Sequence, residues 1–415
     1  MLVVEGMIFF KGELTRGSVG IEDGKIIDVK KILKGDKNID LGDKIIIPGA
    51  VDPHVHFRDP GMKNKEDFIS GSLSALYGGV TCVLDMPNTK PPVIDIRSLK
   101  EKKRVIKGRS FTDYGLFAAL TKNCNVSEIK DSVCGFKMFM GSTTGEILMN
   151  DDNEIKKAMT KAAQTGKRVS VHAEDNDLIN NKEENNNRDH LRNRPLKAEH
   201  NAIMRLSAYK GMNINICHIT DAASAELSSS LGFTTEVTMH HLFLSDSISK
   251  SAEYKVNPPL RDTNTRDGLF NAFNEDRITM FGSDHAPHTT DEKQRSYDDA
   301  PSGITGVETY LPIMMNMVKK GVVPLERVVR MSSYSPALSF SMNKGKIEKG
   351  YDADLAVFDT KKVKKIRSRD LHSKCSHTPY EGWDAIFPDM VFLRGEMQIK
   401  NGDLCGEMLG SDINE

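Results

Sequence analysis

A chain of 415 residues that is 38% hydrophobic and 28% charged can bury a large core and stay in solution. Its 57 basic residues against 58 acidic ones leave a net charge of -1, which gives no electrostatic reason to expect nucleic acid or an anionic membrane as partner. The six cysteines (Cys82, Cys124, Cys134, Cys217, Cys375, Cys405) form no CxxC pair, Glu5 interrupts the apolar N-terminal stretch, and no apolar run reaches spanning length, so free thiols and a cytoplasmic protein with no membrane segment are expected.

Residues 1–47 read as short strands with tight turns, at Met7–Phe10, Ser18–Glu22, Lys25–Val29 and Lys44–Ile47, with Asp23-Gly24 as a hairpin signal. This segment is too small to bury a core alone. From Ile45 on, apolar runs alternate with helix-length segments. The candidate strands are Ile45–Val55, Val80–Met86, Tyr114–Ala119, Gly135–Met140, Val169–His172, Ile214–His218, Thr234–Met239 and Ile278–Ser283. Between them lie candidate helices such as Lys65–Tyr77, Glu154–Gln164, Ala198–Tyr209 and Ala222–Ser230. Eight β-then-α units predict a parallel sheet closed into a (β/α)8 TIM barrel, class α/β, over 48–343. The polar, Asn-rich stretch Asn180–Arg194 reads as an exposed loop. Gly345–Ile347, Gly350–Asp354 and Leu355–Phe358 are strand-rich again. Each chain end alone would leave an apolar face in water, so 1–47 and 344–415 are expected to share one small β domain.

The stretch Pro48–Gly61, PGAVDPHVHFRDPG, organises the rest. His54 and His56 stand at i and i+2, so a strand sets both imidazoles on one face, which is half of a divalent-metal site. Arg58 repeats the spacing, and its planar fork suits a carboxylate. Barrel enzymes carry their chemistry at the C-terminal ends of the strands. There the sequence places Asn88 after strand two, Lys137 in strand four, His172 at the end of strand five, His218 at the end of strand six and Asp284 at the end of strand eight. Any one of these could be a satisfied core residue, but their joint placement at successive strand ends is hard to ascribe to chance. Burial of Lys137 among apolar neighbours favours a neutral amine, which can take up CO2 as a carbamate with two anionic oxygens. Four histidines, one carbamate and one aspartate would hold two divalent cations and a bridging water acidified toward neutrality. Asp284 could take the proton of the resulting hydroxide and deliver it to a leaving nitrogen.

HxHFRDPG, MPNT, FKxFMGSTTG, the VHAE and CHI histidines, GSDHAPH and the terminal KGKIEKGYDADLAVFD together resemble the dihydroorotases of the amidohydrolase superfamily over nearly the whole chain. That family interconverts N-carbamoyl-L-aspartate and L-dihydroorotate in de novo pyrimidine synthesis. The resemblance implies two Zn2+ or another divalent pair. His54 and His56 would bind the first ion, His172 and His218 the second, carboxylated Lys137 would bridge them, and Asp284 would be ligand and proton shuttle. It also implies that Arg58 and Asn88 hold the substrate carboxylate, that His288 completes that site and that Asn257 meets the pyrimidine edge. Ser302 and Gly303 match the family's backbone-contact loop, although many bacterial members carry Phe at the position of Ser302. Many also carry Asp at the bridging position, so Lys137 follows the carbamate-bearing members. A second copy of the chain and aspartate transcarbamoylase are the protein partners this resemblance brings into view. His190, His200, His240, His241, His285, His372 and His377 are expected in surface or structural places.

Allantoinases and hydantoinases share the metal core. Arg58 and Asn88 favour a substrate with a free carboxylate, which dihydroorotate has and allantoin and simple hydantoins lack. A catalytically silent homologue serving as a scaffold would have lost ligands, and here every one is present.

Overall fold

The computed structural model describes residues 1–142 and 147–415, so the last residues of the strand-four motif, from Thr143, lie outside the described residues. The chain opens with β1 (Leu2–Phe10), β2 (Glu13–Glu22), β3 (Lys25–Lys30) and β4 (Lys37–Pro48). β2 and β3 are joined by the two-residue turn Asp23-Gly24, with φ of 48° and 74°, the left-handed pair that a tight hairpin demands.

The barrel follows in sequence order as β5 (Ala50–Val55), β6 (Val80–Asp85), β7 (Asp113–Ala119), β8 (Gly135–Phe139), β9 (Val169–His172), β10 (Ile214–Ile216), β11 (Thr234–Val237) and β12 (Met280–Phe281), each parallel to the next. β5 to β10 are buried along their whole length, as a parallel sheet wrapped by helices requires. The ring meets itself just beyond β12. His56 N–H donates to the His285 carbonyl at 2.8 Å, and Ser283 N–H donates to Asp52 Oδ1 at 3.0 Å.

The C-terminal part adds β13 (Leu355–Phe358), a two-residue ribbon of β14 (Lys364–Lys365) with β15 (Asp384–Ala385), and β16 (Met390–Leu393), β17 (Glu396–Lys400) and β18 (Asp403–Leu404). Apart from the ribbon, these strands complete the N-terminal sheet in the order β18-β17-β16-β13-β4-β1-β2-β3. Val4, Ile8, Val19, Ile21 and Ile46 from the first end pack with Leu355, Val357 and Phe392 from the other in one apolar cluster.

Beyond the earlier starts of β1, β2 and β4 and the stretch Gly345–Asp354, which holds only an isolated bridge at Asp352 rather than the expected strands, the structure departs from the sequence expectations in three further places. The apolar run Ile45–Val55 is two strands in two sheets: Ile46 pairs with Val357, while Ala50 pairs with Val80. The chain changes sheets at Gly49, where a Cβ would lie 2.3 Å from Thr81 Oγ1. Strands six to eight are shorter than expected, ending at Ile216, Val237 and Phe281: Thr238 caps the helix Met239–Phe243, and His218 and Asp284, two and three residues past the other two strands, adopt left-handed backbone. The Asn180–Arg194 stretch is not a solvated loop throughout. It contains the short helix Asn187–Asn193, and Asn187, His190, Asn193 and Arg194 are buried. Its amides are satisfied internally, Asn187 Nδ2 by the Ser249 carbonyl at 2.7 Å and Asn193 Nδ2 by the Lys182 carbonyl at 2.6 Å. No described helix is long and apolar enough to cross a membrane.

Candidate active site

A cavity of about 330 Å³ opens at the C-terminal ends of the barrel strands, and every site residue expected from sequence lines it except His288. His54, in β5, has Nδ1 2.5 Å from Glu236 Oε1 of β11. That contact fixes the hydrogen on Nδ1 and turns Nε2 into the cavity. Burial opposes charge on this ring, but Glu236 prevails and raises its pKa to about 10. His56, one residue past β5, has Nδ1 2.7 Å from Asn88 Oδ1 and Nε2 3.1 Å from Asp284 Oδ1. His54 Nε2 stands 3.5 Å from the same carboxylate oxygen, so three donor atoms converge within 4.8 Å of one another. Burial alone would raise Asp284, but His54, His56 and His218 hold its carboxyl well below the usual range. Three residues of the site adopt left-handed backbone, Arg58 (φ 60°), His218 (φ 38°) and Asp284 (φ 47°), a conformation that costs L residues energy and persists where the surroundings impose it.

The second half of the site is built the same way. His172 Nε2 lies 2.8 Å from Glu174 Oε2, which leaves Nδ1 facing His218 Nε2 at 3.0 Å. Arg194 Nη1 binds the same Glu174 oxygen, and Nη2 donates to the Ser142 carbonyl at 2.6 Å. Against the upward pull of burial, Arg194 and His172 hold Glu174 at about 2. Burial pushes His172 and His218 down, toward the neutral imidazole that a metal needs, and His218 Nδ1 is buried with no partner among the described residues. Lys137 of β8 lies between the halves, 1% exposed, with Nζ 2.9 Å from Cys217 Sγ and 3.5 Å from His54 Nε2. Among the described residues no carboxylate lies within ion-pair distance of this amine. Four inward imidazole nitrogens, three of them with the opposite nitrogen anchored, one carboxylate and one uncompensated lysine make a donor set that fits divalent cations.

On the substrate side, Arg58 is 3% exposed. Its Nε donates to the Pro287 carbonyl at 3.3 Å, and Nη2 lies 3.2 Å from His288 Nε2. It has no ion-pair partner among the described residues, and burial pushes it down to about 10. Asn88 gives its oxygen to His56, so its Nδ2 is the atom left for the cavity. His288 stands behind Arg58 rather than at the cavity wall. Its Nε2 donates to the Ser302 carbonyl at 3.0 Å and its Nδ1 accepts from Lys65 at 3.1 Å. Gly303 has φ 139°, and a Cβ there would lie 2.4 Å from the Ala286 carbonyl oxygen, so the 301–303 loop is tightly seated. Lys293 Nζ donates to the Pro301 and Gly303 carbonyls at 3.0 Å each and pins that loop from behind.

The family model for amidohydrolases matches residues 45–401. The chain belongs to the amidohydrolase family. Its relatives include the dihydroorotase of Pyrococcus horikoshii, 38% identical over 99% of this chain and 95% of that protein, and the dihydroorotase of Thermoplasma acidophilum, 36% identical over 98% and 96%. Among solved structures, the L-hydantoinase (dihydropyrimidinase) from Arthrobacter aurescens superposes with a TM-score of 0.93 at 26% identity, covering 100% of this chain and 99% of the other.

Several residues that shape this amidohydrolase site escaped sequence reasoning. Glu236 is a charged residue in a buried strand, the same signal that marked Lys137, and Glu174 stands at i+2 from His172. Both were findable. Arg194, Cys217 and Lys293 gave no such signal, because their partners are distant in sequence. An amidohydrolase is metal-dependent; Glu236 and Glu174 anchor His54 and His172, Glu236 and Cys217 also bring donor atoms within 4.8 Å of His54 and of each other, and Lys293 braces the 301–303 loop.

Proposed function

We propose that this amidohydrolase is a dihydroorotase, interconverting N-carbamoyl-L-aspartate and L-dihydroorotate. The observation that carries the reading is Arg58. A guanidinium buried at the wall of the cavity without a counter-ion among the described residues is costly until an anion arrives, and the substrate carboxylate is that anion. The full-length likeness to proteins named dihydroorotase, at 34% to 38% identity, supports the same reading. The residues fit two zinc ions or an equivalent divalent pair. His54, His56 and Asp284 would hold one, His172 and His218 the other, and Lys137 as its carbamate would stand between them. When bound, such ions supply a Lewis acid and make water nucleophilic near neutral pH.

The chain's own groups do the rest. Arg58 and Asn88 Nδ2 hold the carboxylate and so place the ring amide over the histidines. Asp284, acceptor-only and held ionised, takes a proton from the attacking water and returns it to the ring nitrogen as the C–N bond breaks. In the cyclising direction the same carboxylate takes the ureido proton while that nitrogen attacks the side-chain carboxyl and water departs. Assay of the purified protein with dihydroorotate, allantoin and hydantoin tests the reading. Turnover of dihydroorotate is expected, and turnover of hydantoin without it would make the protein a hydantoinase instead.

A further inference from the structure

Asn257 lines the cavity, and an amide can face a ligand with its oxygen or with its nitrogen. The neighbours decide which. Asn257 Oδ1 lies 2.8 Å from His190 Nε2 and accepts from Ser302 Oγ at 3.1 Å. His190 Nε2 is also 2.9 Å from the Val256 carbonyl oxygen, so this nitrogen has an acceptor beside it and carries a hydrogen. The opposite nitrogen, Nδ1, is 2.9 Å from both carboxylate oxygens of Glu184. Each ring nitrogen thus has an oxygen partner, and turning the ring over would put a C–H in place of each. Glu184 is itself held by Lys255 at 3.1 Å and by Asn193 Nδ2 at 3.0 Å. Turning the Asn257 amide over would set its NH2 against the N–H of the buried His190. Its Nδ2 has no partner among the described residues and is the atom presented to the cavity.

We propose that Glu184 and His190 are positioning residues that lock Asn257 as a hydrogen-bond donor, so that the cavity accepts a ring edge bearing a carbonyl and rejects one bearing N–H. The inference rests on the cyclic-amide chemistry proposed above and deepens it. It gives the polar segment after β9 a part in specificity although that segment touches no reacting atom.

A double-mutant cycle on the metal-loaded enzyme tests it. His190→Ala should lower kcat/KM for dihydroorotate roughly tenfold, through KM more than kcat, with metal content unchanged. In an Asn257→Ala background the same substitution should change kcat/KM by less than about twofold, because the group through which it acts is gone. His190→Gln keeps a donor near the position of Nε2 and should recover most of the loss. Additive losses in the double mutant, or a His190→Gln enzyme no better than His190→Ala, would overturn the proposal. If His190→Ala is insoluble, Glu184→Ala in the same two backgrounds reads the same link one bond further out. If the wild-type enzyme opens hydantoin and not dihydroorotate, the dihydroorotase reading fails. The cycle run on hydantoin, which also presents ring carbonyls, then decides the positioning role separately.

Discussion

Replacing Arg58 by Met should move binding and stability in opposite directions. The guanidinium is 3% exposed, bonded to one carbonyl and unpaired with any described carboxylate. A hydrogen bond to a charged group contributes about 1.5–3 kcal/mol, so losing the one to the substrate carboxylate should lower kcat/KM for dihydroorotate roughly tenfold to a hundredfold. The fold, by contrast, holds this charge against burial, which shifts it from 12.5 to about 10, a cost of roughly 3 kcal/mol. Because the folded value lies below the unfolded one, that cost is fully present at neutral pH, where both states are protonated, and fades only as pH rises through 10. Arg58→Met should therefore unfold at or above the wild-type Tm. The assay pairs kinetics with competitive inhibition by orotate and by uracil, which differ in the carboxylate. The wild-type enzyme should prefer orotate, and Arg58→Met should lose that preference. Arg58→Lys should recover only part of it, lacking the planar fork. If Arg58→Met weakens uracil as much as orotate, or leaves both unchanged, Arg58 does not hold a carboxylate.

Four further outcomes are expected. Asp284→Asn should keep the fold and much of the metal but lose at least 10²–10⁴-fold in kcat, and near-native turnover in the metal-loaded variant would refute the proton-shuttle role. Lys137→Ala should bind less metal than wild type after chelation and reconstitution, and bicarbonate should speed metal uptake by the wild-type protein but not by the variant, as followed by metal analysis. Glu236→Gln, which loosens the carboxylate that orients His54 Nδ1, should weaken metal retention roughly 10–100-fold in competition with a chelator, and unchanged retention would remove Glu236 from the site. Deleting residues 1–44 should uncover Leu355, Val357 and Phe392 and give an aggregating product by size-exclusion chromatography, whereas a monodisperse, active product would show that the two ends do not depend on each other.

The barrel was legible because its strands are short apolar runs in regular alternation with helices, and the histidines and Asp284 were legible because they interrupt those runs at the same end. What the sequence hid was set by tertiary contact. Nothing in Ile45–Val55 marks a change of sheet except Gly49, and a single glycine in an apolar run has many causes. Asn180–Arg194 reads as solvated because it is polar, yet its amides and its histidine find their partners at Ser249, Lys182 and Asn257. The resemblance puts His288 at the substrate, and only the Lys65 and Ser302 contacts reveal that both its ring nitrogens are already engaged.

The seam of the barrel carries a last consequence. His56 and Asp284 belong to segments more than two hundred residues apart, and their approach is fixed across the gap between β5 and β12 by the His56 N–H on the His285 carbonyl and the Ser283 N–H on the Asp52 carboxylate. Joining these edges closes one of the longest loops in the chain, at an entropic cost that contacts formed earlier along the ring do not repay. An ion gripped from both sides of that gap would act as a clasp on the ring. Removing it should loosen the edge formed by β5 and β12 before the middle strands β7 to β9. Hydrogen exchange after chelation should then rise first at the amides of His56 and Ser283, leaving the sheet interior protected.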